Sequence, residues 1–510
     1  MTGQQHPIRH IVIVGGGTAG WMCAAAAAHV LNDGRRRITL VESDAIGIIG
    51  VGEATIPPIL AFNAMLGIDE AAFVAATHAT FKLGIEFHGW GRPDDRYVHP
   101  FGALGRDFDG VAFHQLWLRH QTADGVGPLE DYWISAAAAR RARFDRPRGD
   151  PRSPLSGISY AYHFDAAAYA AFLRTFAEQR GVERIEGRIG SVEQDADGDV
   201  AAVLLDDGRR VAGDLFVDCS GFRSLLLGEA MGVPYHDWSH WLPCDRAVAV
   251  PCERRDPLVP LTRATARPAG WQWRIPLQHR TGNGHVYSSG FMDDDAAEAL
   301  LLANLDAPAS DTPRRLRFVT GRRERMWQGN VVALGLSAGF IEPLESTSIH
   351  LIQSGISKLI ALFPDKRIAA VERNEYNRLM IAQFDAVRDF VILHYKANQR
   401  HGEPFWDHVR SMDIPDSLAG KIALFAEKGR LFRYDDDLFS VPSWVAVLLG
   451  QHVVPRAFDP VTASLDEGGV IAAMKAMRAG IASIADAMPQ HADFVAGLVS
   501  AAKARGSETP

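Results

Sequence analysis

The chain is poor in cysteine, and the few it has are not arranged to do chemistry. Cys23, Cys219, Cys244 and Cys252 are the only cysteines among 510 residues, and no two form a C-x-x-C pair. No metal site is therefore expected, and the four read as reduced thiols of a cytosolic protein. An excess of positive charge is also missing: the formal net charge is −8, which argues against general affinity for nucleic acid. Low-complexity linkers and internal repeats are absent. Long apolar runs are nearly absent too, the exception being residues 11–31, where a signal peptide or membrane span has to be weighed. Gly15, Gly16, Gly17 and Gly20 interrupt that run directly after four β-branched residues, the pattern of a strand turning into a helix. No membrane association is expected.

What is present is the composition of a soluble globular protein, 47% hydrophobic and 22% charged. The length exceeds what one core usually organises, so two or three domains, or one with a large elaboration, are expected. Residues 11–14 read as a strand, 21–31 as an Ala-rich helix and 37–42 as a second strand, together a βαβ unit. The stretch to about residue 110 looks less regular, and residues 140–154, rich in arginine and proline, read as an exposed loop. A helix is expected over 165–180, then strands around Val192 and over 200–205. Asp206-Asp207-Gly208 turns the latter into a hairpin. Residues 214–223 and 331–340 each read as a buried strand ending in a polar, glycine-bearing turn. Residues 349–363 look helical. Helical periodicity dominates beyond about residue 366, including 371–395, 417–432 and 469–487. The expected organisation is a core over 1–365 and a mostly helical region over 366–510 that packs on it and closes a substrate pocket.

Gly15-x-Gly17-x-x-Gly20, with Thr18 and Ala19 between its last glycines, follows a strand and opens a helix, and Glu42 closes the next strand. Glycines permit the tight turn and close approach of backbone to a pyrophosphate, the helix N-terminus offers N–H groups, and Glu42 can bind ribose hydroxyls. The fold class expected is α/β, with a Rossmann-like dinucleotide-binding domain. The later strand-turn segments resemble those that rejoin the sheet in FAD-dependent monooxygenases and halogenases, so FAD is favoured over NAD.

Two distant residues indicate what a flavin would serve: Lys82 in Phe81-Lys82-Leu83-Gly84-Ile85-Glu86-Phe87, and Glu345 in Glu342-Pro343-Leu344-Glu345-Ser346-Thr347-Ser348. With these, with Val51 to Thr55, with Gly270-Trp271-Gln272-Trp273-Arg274-Ile275-Pro276 and with Arg388-Asp389-Phe390, His394-Tyr395 and Phe405-Trp406, the chain resembles flavin-dependent halogenases of the tryptophan halogenase family over most of its length. Tryptophans at i and i+2 put both indoles on one face of a strand. The resemblance implies that FADH2, supplied by a separate NAD(P)H-dependent flavin reductase, reacts with O2 so that chloride or bromide becomes hypohalous acid, which travels to a separate pocket. There Lys82 would present the halogen to an electron-rich ring, Glu345 would assist as acid/base or electrostatic catalyst, and Ser346 would relay hydrogen bonds. Forming a haloamine needs neutral Lys82, whereas Glu345 favours its charged form; the two requirements oppose each other. By the same resemblance Thr347 and Ser348 hold the halide through backbone N–H groups, Ser348 departing from the glycine many members carry. Leu336 and Ile349 contact the flavin, and Gly52, Glu53 and Ala54 belong to its binding segment. His99, Phe101 and Trp444 are expected at the substrate. The free-tryptophan enzymes hold the amino acid with a tyrosine-rich segment, and residues 434–444 have no clear tyrosine pair. Indole or a substituted indole is therefore favoured, because an unpartnered zwitterion in a closed pocket is costly. An aromatic hydroxylase, a halogenase of free tryptophan and a non-catalytic flavin scaffold are the alternatives, and a homodimer is left open.

Overall fold

Ile11, Val12, Ile13 and Val14 are all at most 2% exposed and form the interior strand His10–Val14 of a six-stranded sheet. Parallel strands flank it: Leu215–Asp218 on one side, with Ile11 opposite Leu215, and Arg37–Glu42 on the other, with Ile11 opposite Ile38. Val331–Ala333 extends the first side and Glu183–Glu186 the second, both parallel. Trp327–Gln328 closes one edge antiparallel. Both segments expected to rejoin the sheet do so. Their near-continuous apolar runs follow from burial on both faces. The computed structural model describes residues 6–45, 52–434 and 437–506; Gly50 and Val51, ahead of Gly52, and Asp435 and Asp436, within 434–444, lie outside them. The apolar run at 11–31 is this first strand, a glycine turn and the helix Thr18–Val30, against which the helices Ala166–Glu178 and Ser348–Ala361 pack.

A seven-stranded sheet forms the second layer, in the order Arg314–Arg317, Arg246–Glu253, Arg280–Tyr287, Gly270–Pro276, Thr262–Arg267, Gly84–His88 and Arg96–Pro100. The last two pair antiparallel, with Ile85 opposite His99, in a region whose sequence suggests only irregular chain. Most of their side chains are buried on both faces, so the period-2 alternation that betrays a half-exposed strand is missing. Trp271 and Trp273 share one face of Gly270–Pro276, their ring centroids 6.1 Å apart. A Cβ on Gly284 of the neighbouring strand would stand 2.0 Å from Trp273 Cζ2, so only glycine lets that indole lie across the sheet. A small sheet of Gly52–Ala54, Ala161–Asp165 and Thr80–Lys82 stands beside these two, with the three-residue Lys82 strand at its edge.

Beyond residue 366 the helices Ala370–Lys396, Pro404–Ser411, Asp416–Lys428, Val441–Gly450, Glu467–Ala487 and His491–Gly506 follow one another. The helix expected over 417–432 stops at Lys428. Gly429 adopts a left-handed φ of +65° and its N–H donates to Phe425 O at 2.7 Å, a C-terminal cap that the periodicity of Leu431 and Phe432 conceals. Glu467–Ala487 is, by length and composition, apolar enough to cross a membrane. Its Val470, Met474, Ile481 and Ala485 are buried, the helix packs on Leu129–Tyr132 and Ile134–Ala139, and Arg478 pairs with Asp131 at 2.7 Å. All four cysteines are free and buried.

Candidate active site

Lys82 ends its short edge strand with no exposed surface. Its Nζ donates to Ser346 Oγ at 2.7 Å and lies 5.3 Å from the centre of the Phe101 ring. Burial lowers its pKa from the usual lysine value to about 7, against the opposing pull of Glu345. Burial thus favours the neutral amine far more than in an exposed lysine.

Glu345 closes the turn Pro343–Glu345, and Ser346 follows with a left-handed φ of +59°, an uncommon conformation for a residue other than glycine. That reversal sends Glu345 and Ser346 into one buried space while starting the helix Ser348–Ala361. The Glu345 carboxylate accepts from His99 Nδ1 at 2.9 Å, and His394 Nε2 lies 2.8 Å from its other oxygen, outside aligned hydrogen-bond geometry. His394 Nδ1 donates to Phe390 O at 2.8 Å, which fixes its ring. Burial alone would raise the Glu345 carboxyl, but His99 and His394 reverse that and hold it down at about 2. It is a carboxylate.

Aromatic rings cluster beside the His99 ring. Phe390 stacks on Phe439 at 3.7 Å, Trp444 meets Phe390 edge-on at 4.9 Å, and the His99 ring lies 5.6 Å from Phe390. Lys82, Glu345, Ser346, His99 and Phe101 thus gather at one place, with Trp444 one ring further out. Sequence reasoning gave no role to Phe390 and His394, and none to Phe439. The spacing of Phe390 and His394, i and i+4 on one helix face, was the available signal.

On the other side of the same turn lies a second buried network. Glu342 Oε1 accepts from Trp271 Nε1 at 2.9 Å and from Tyr395 OH at 2.5 Å. Burial pushes the Glu342 carboxyl up to about 7, although both bonds work against it. Trp271 and Tyr395 are thereby locked, and Tyr395 adjoins His394.

The glycine fingerprint stands apart from this cluster. Gly15 has φ +109°, and a Cβ there would lie 2.2 Å from Cys219 O; a Cβ on Gly20 would lie 1.8 Å from Gly15 O. Gly17 has open space where its Cβ would be, and the helix Thr18–Val30 begins with no side-chain cap. Its first N–H groups are left without intrahelical acceptors, as a bound pyrophosphate requires. Gly335, also left-handed at φ +64°, approaches Ala19 so closely that a Cβ would stand 2.9 Å from the alanine Cβ. Leu336 follows it in the short helix Gly335–Ser337, and Ile349 is buried in Ser348–Ala361. Glu42 keeps its place at the strand end, with one carboxylate oxygen paired to Arg184. Gly52, Glu53 and Ala54 form their strand against Ala161–Asp165. These residues fit a dinucleotide. Thr347 is the cap residue of Ser348–Ala361, its Oγ1 is buried without a partner, and the free N–H groups of that helix start suit a small anion.

Residues 10–467 match the family described as tryptophan halogenase. The chain belongs to the tryptophan halogenase family. Among solved structures it is similar to Xcc4156, a flavin-dependent halogenase from Xanthomonas campestris, with 48% identity, a TM-score of 0.93 and coverage of 96% of this chain and 98% of that one. BrvH, a flavin-dependent halogenase from Brevundimonas sp. BAL3, shows 47% identity and a TM-score of 0.92 over 96% of this chain and 99% of its own. Tryptophan 6-halogenase SttH from Streptomyces toxytricini is 35% identical over 96% of this chain and 98% of the relative. The protein is a flavin-dependent halogenase, as the sequence resemblance implies, and its α/β fold is the one expected.

Proposed function

We propose that this halogenase places chlorine or bromine on an electron-rich arene of the indole type, with Lys82 carrying the halogen and Glu345 assisting its transfer. The observation that carries this reading is the fully buried Lys82 amine, held by Ser346 over the Phe101 ring, beside the Glu345 carboxylate fixed by His99. Gly15, Gly17, Thr18, Ala19, Gly20 and Glu42 would hold the dinucleotide, with Gly52, Glu53, Ala54, Leu336 and Ile349 around the flavin and Thr347 and Ser348 at the halide. A reduced flavin held there, replenished by a separate reductase, would activate O2, the oxidant that turns halide into hypohalous acid. Neutral Lys82 can take the halogen from that acid as a haloamine, releasing water, or hold the acid by hydrogen bonding; Ser346 keeps the amine aimed. As the nitrogen–halogen bond breaks, the ring gains the halogen and becomes a cation, and the proton that the ring then loses by way of Glu345 restores the Lys82 amine. Glu345, kept anionic by His99 and His394, stabilises that cation and accepts its ring proton. A carboxyl with so low a pKa is a weak base, but an arenium ion is a strong acid, so the electrostatic contribution leads.

The substrate reading follows from what lines the enclosure. His99, Phe101, Phe390, Phe439 and Trp444 offer aromatic faces, whereas Lys421 and Asp437 beside Trp444 neutralise each other at 2.8 Å. A free amino acid's ammonium and carboxylate would find that pair already matched, which favours indole or a substituted indole. Free tryptophan is the second reading, favoured by the similarity to SttH. The test supplies FAD, a flavin reductase, NADH, O2 and bromide or chloride, with indole and L-tryptophan in parallel, and reads halogen isotope patterns by mass spectrometry. Halogenated indole in excess is expected. Preferential halogenation of tryptophan replaces the first reading by the second, and hydroxylated products alone overturn both.

A further inference from the structure

The strand Thr80–Lys82 has a strand partner on one side, and at its outer edge the flanking Leu83 N–H donates to Pro260 O at 2.8 Å, which leaves the Phe81 N–H to be satisfied. It pairs antiparallel with Ala161–Asp165, Phe81 opposite Tyr162, and among the described residues no strand pairs with its other edge. Phe81 is nevertheless completely buried, and a backbone N–H left unpaired in a dry interior is strongly unfavourable. His491, the first residue of the helix His491–Gly506, meets that need from 410 positions away. Phe81 N–H donates to His491 Nε2 at 3.0 Å. The ring's other nitrogen then carries the proton and donates to Leu258 O at 2.9 Å. His491 is itself fully buried, and burial lowers its pKa to about 4 against the pull of the Leu258 carbonyl, so the imidazole stays neutral and keeps its acceptor.

The side chains confirm the docking. Phe81 stacks on Phe144 at 4.0 Å and meets Phe494 of the same C-terminal helix at 5.4 Å, while Lys82, next along the strand, points to the opposite face and to Ser346. His491 N–H donates to Ala142 O at 2.8 Å, which seats the ring. Residue 491 lies beyond the segment 10–467 that matches the family.

We propose that His491 is a positioning residue for Lys82, supplying the hydrogen-bond acceptor that the outer edge of the Lys82 strand lacks at Phe81 and so fixing where the amine stands in the enclosure. This rests on the assignment of Lys82 as the halogen-bearing group. The groups facing that amine are Ser346, Glu345 and Phe101, and its charge also bears on His163, which is held by Thr80 and Thr262. A strand released at Phe81 moves Lys82 away from Ser346 and admits water, which raises the amine's pKa.

His491→Leu keeps an apolar body of similar size but accepts no hydrogen bond; His491→Gln restores an acceptor at the reach of Nε2. With bromide and indole, His491→Leu is expected to keep forming hypobromous acid, trapped by an added β-diketone, while indole bromination falls by about tenfold or more, a loss of the size that misplacing a reacting group produces. The rise of its pH–rate profile should move to higher pH, and His491→Gln should recover most of both losses. Unchanged bromination and pH profile in folded His491→Leu, a parallel fall in hypobromous acid, or a Gln variant as impaired as Leu overturns the proposal. Independently of any variant, the Phe81 amide of the full-length parent should exchange with solvent as slowly as the Tyr162 amide, and early exchange at Phe81 counts against the proposal. Lys82→Ala run alongside separates the two assignments: if it still brominates indole, the role of Lys82 is wrong, whereas if it is inactive and His491→Leu is normal, only the role of His491 fails.

Discussion

At the scale of single residues, the decisive quantity is the protonation of Lys82. With its pKa lowered to about 7 by burial, halogenation should climb as pH rises through 7 and level off above it, while oxidant formation follows a different profile; parallel measurement of both against pH checks this. Lys82→Ala should abolish halogenation and leave flavin oxidation running if, as proposed, the oxidant forms elsewhere. Coupled loss of both would place Lys82 at the flavin. Glu345→Gln should slow turnover by about 10²-fold or more if the charge stabilises the transition state, and single-turnover rates with preformed hypohalous acid give the comparison. The buried amine also weighs on stability. Between pH 7 and the ordinary lysine value the unfolded chain binds a proton that the folded chain has released, so this group's contribution becomes more favourable as pH rises across that window. Lys82→Met should therefore raise the melting temperature at pH 7, with the gain shrinking toward pH 10. A melting temperature unmoved at both pH values would mean that Lys82 is not buried as described.

At the scale of elements, the last two glycines of the fingerprint make different demands. Gly20→Ala drives a Cβ into Gly15 O and should lower the melting temperature of the apoprotein, whereas Gly17→Ala meets nothing there and should fold normally yet bind FAD more weakly. Calorimetric unfolding and FAD titration of the two variants separate these outcomes. This fingerprint was fully legible in the sequence because its signals are local: β-branched strand, glycines, helix and acidic strand end occur within one continuous segment. The return strands Leu215–Asp218 and Val331–Ala333 were legible for the same reason. Gly84–His88 and Arg96–Pro100 were not, since strands buried on both faces lose the alternation that identifies them. Nor could the sequence show that His99 and His394 converge on Glu345, because contacts between residues so far apart arise only from the packing of a sheet edge against a long helix. Lys82 and Glu345 stood out through a resemblance, while the imidazoles that keep Glu345 ionised needed coordinates.

At the scale of the whole molecule, the segment running from Glu342 to Ser348 stands between the two working regions. Glu342 reaches toward Trp271, Glu345 and Ser346 toward Lys82, and Thr347 toward the helix start. Of the rings proposed to meet the arene, Phe390, Phe439 and Trp444 lie beyond residue 366, whereas His99 and Phe101 come from near residue 100. Trp444→Ala should therefore weaken substrate binding, seen as a higher KM for indole, with little change in the rate of oxidant formation at saturating halide. An equal loss in both would show that the enclosure and the oxidant-forming region are not separable. The placement of these rings has a practical corollary. Because Phe439 and Trp444 lie close together in sequence and apart from Thr347 and Ser348, a library confined to residues 437–445 can vary that part of the proposed arene wall while leaving the proposed halide site, and His99 and Phe101, untouched.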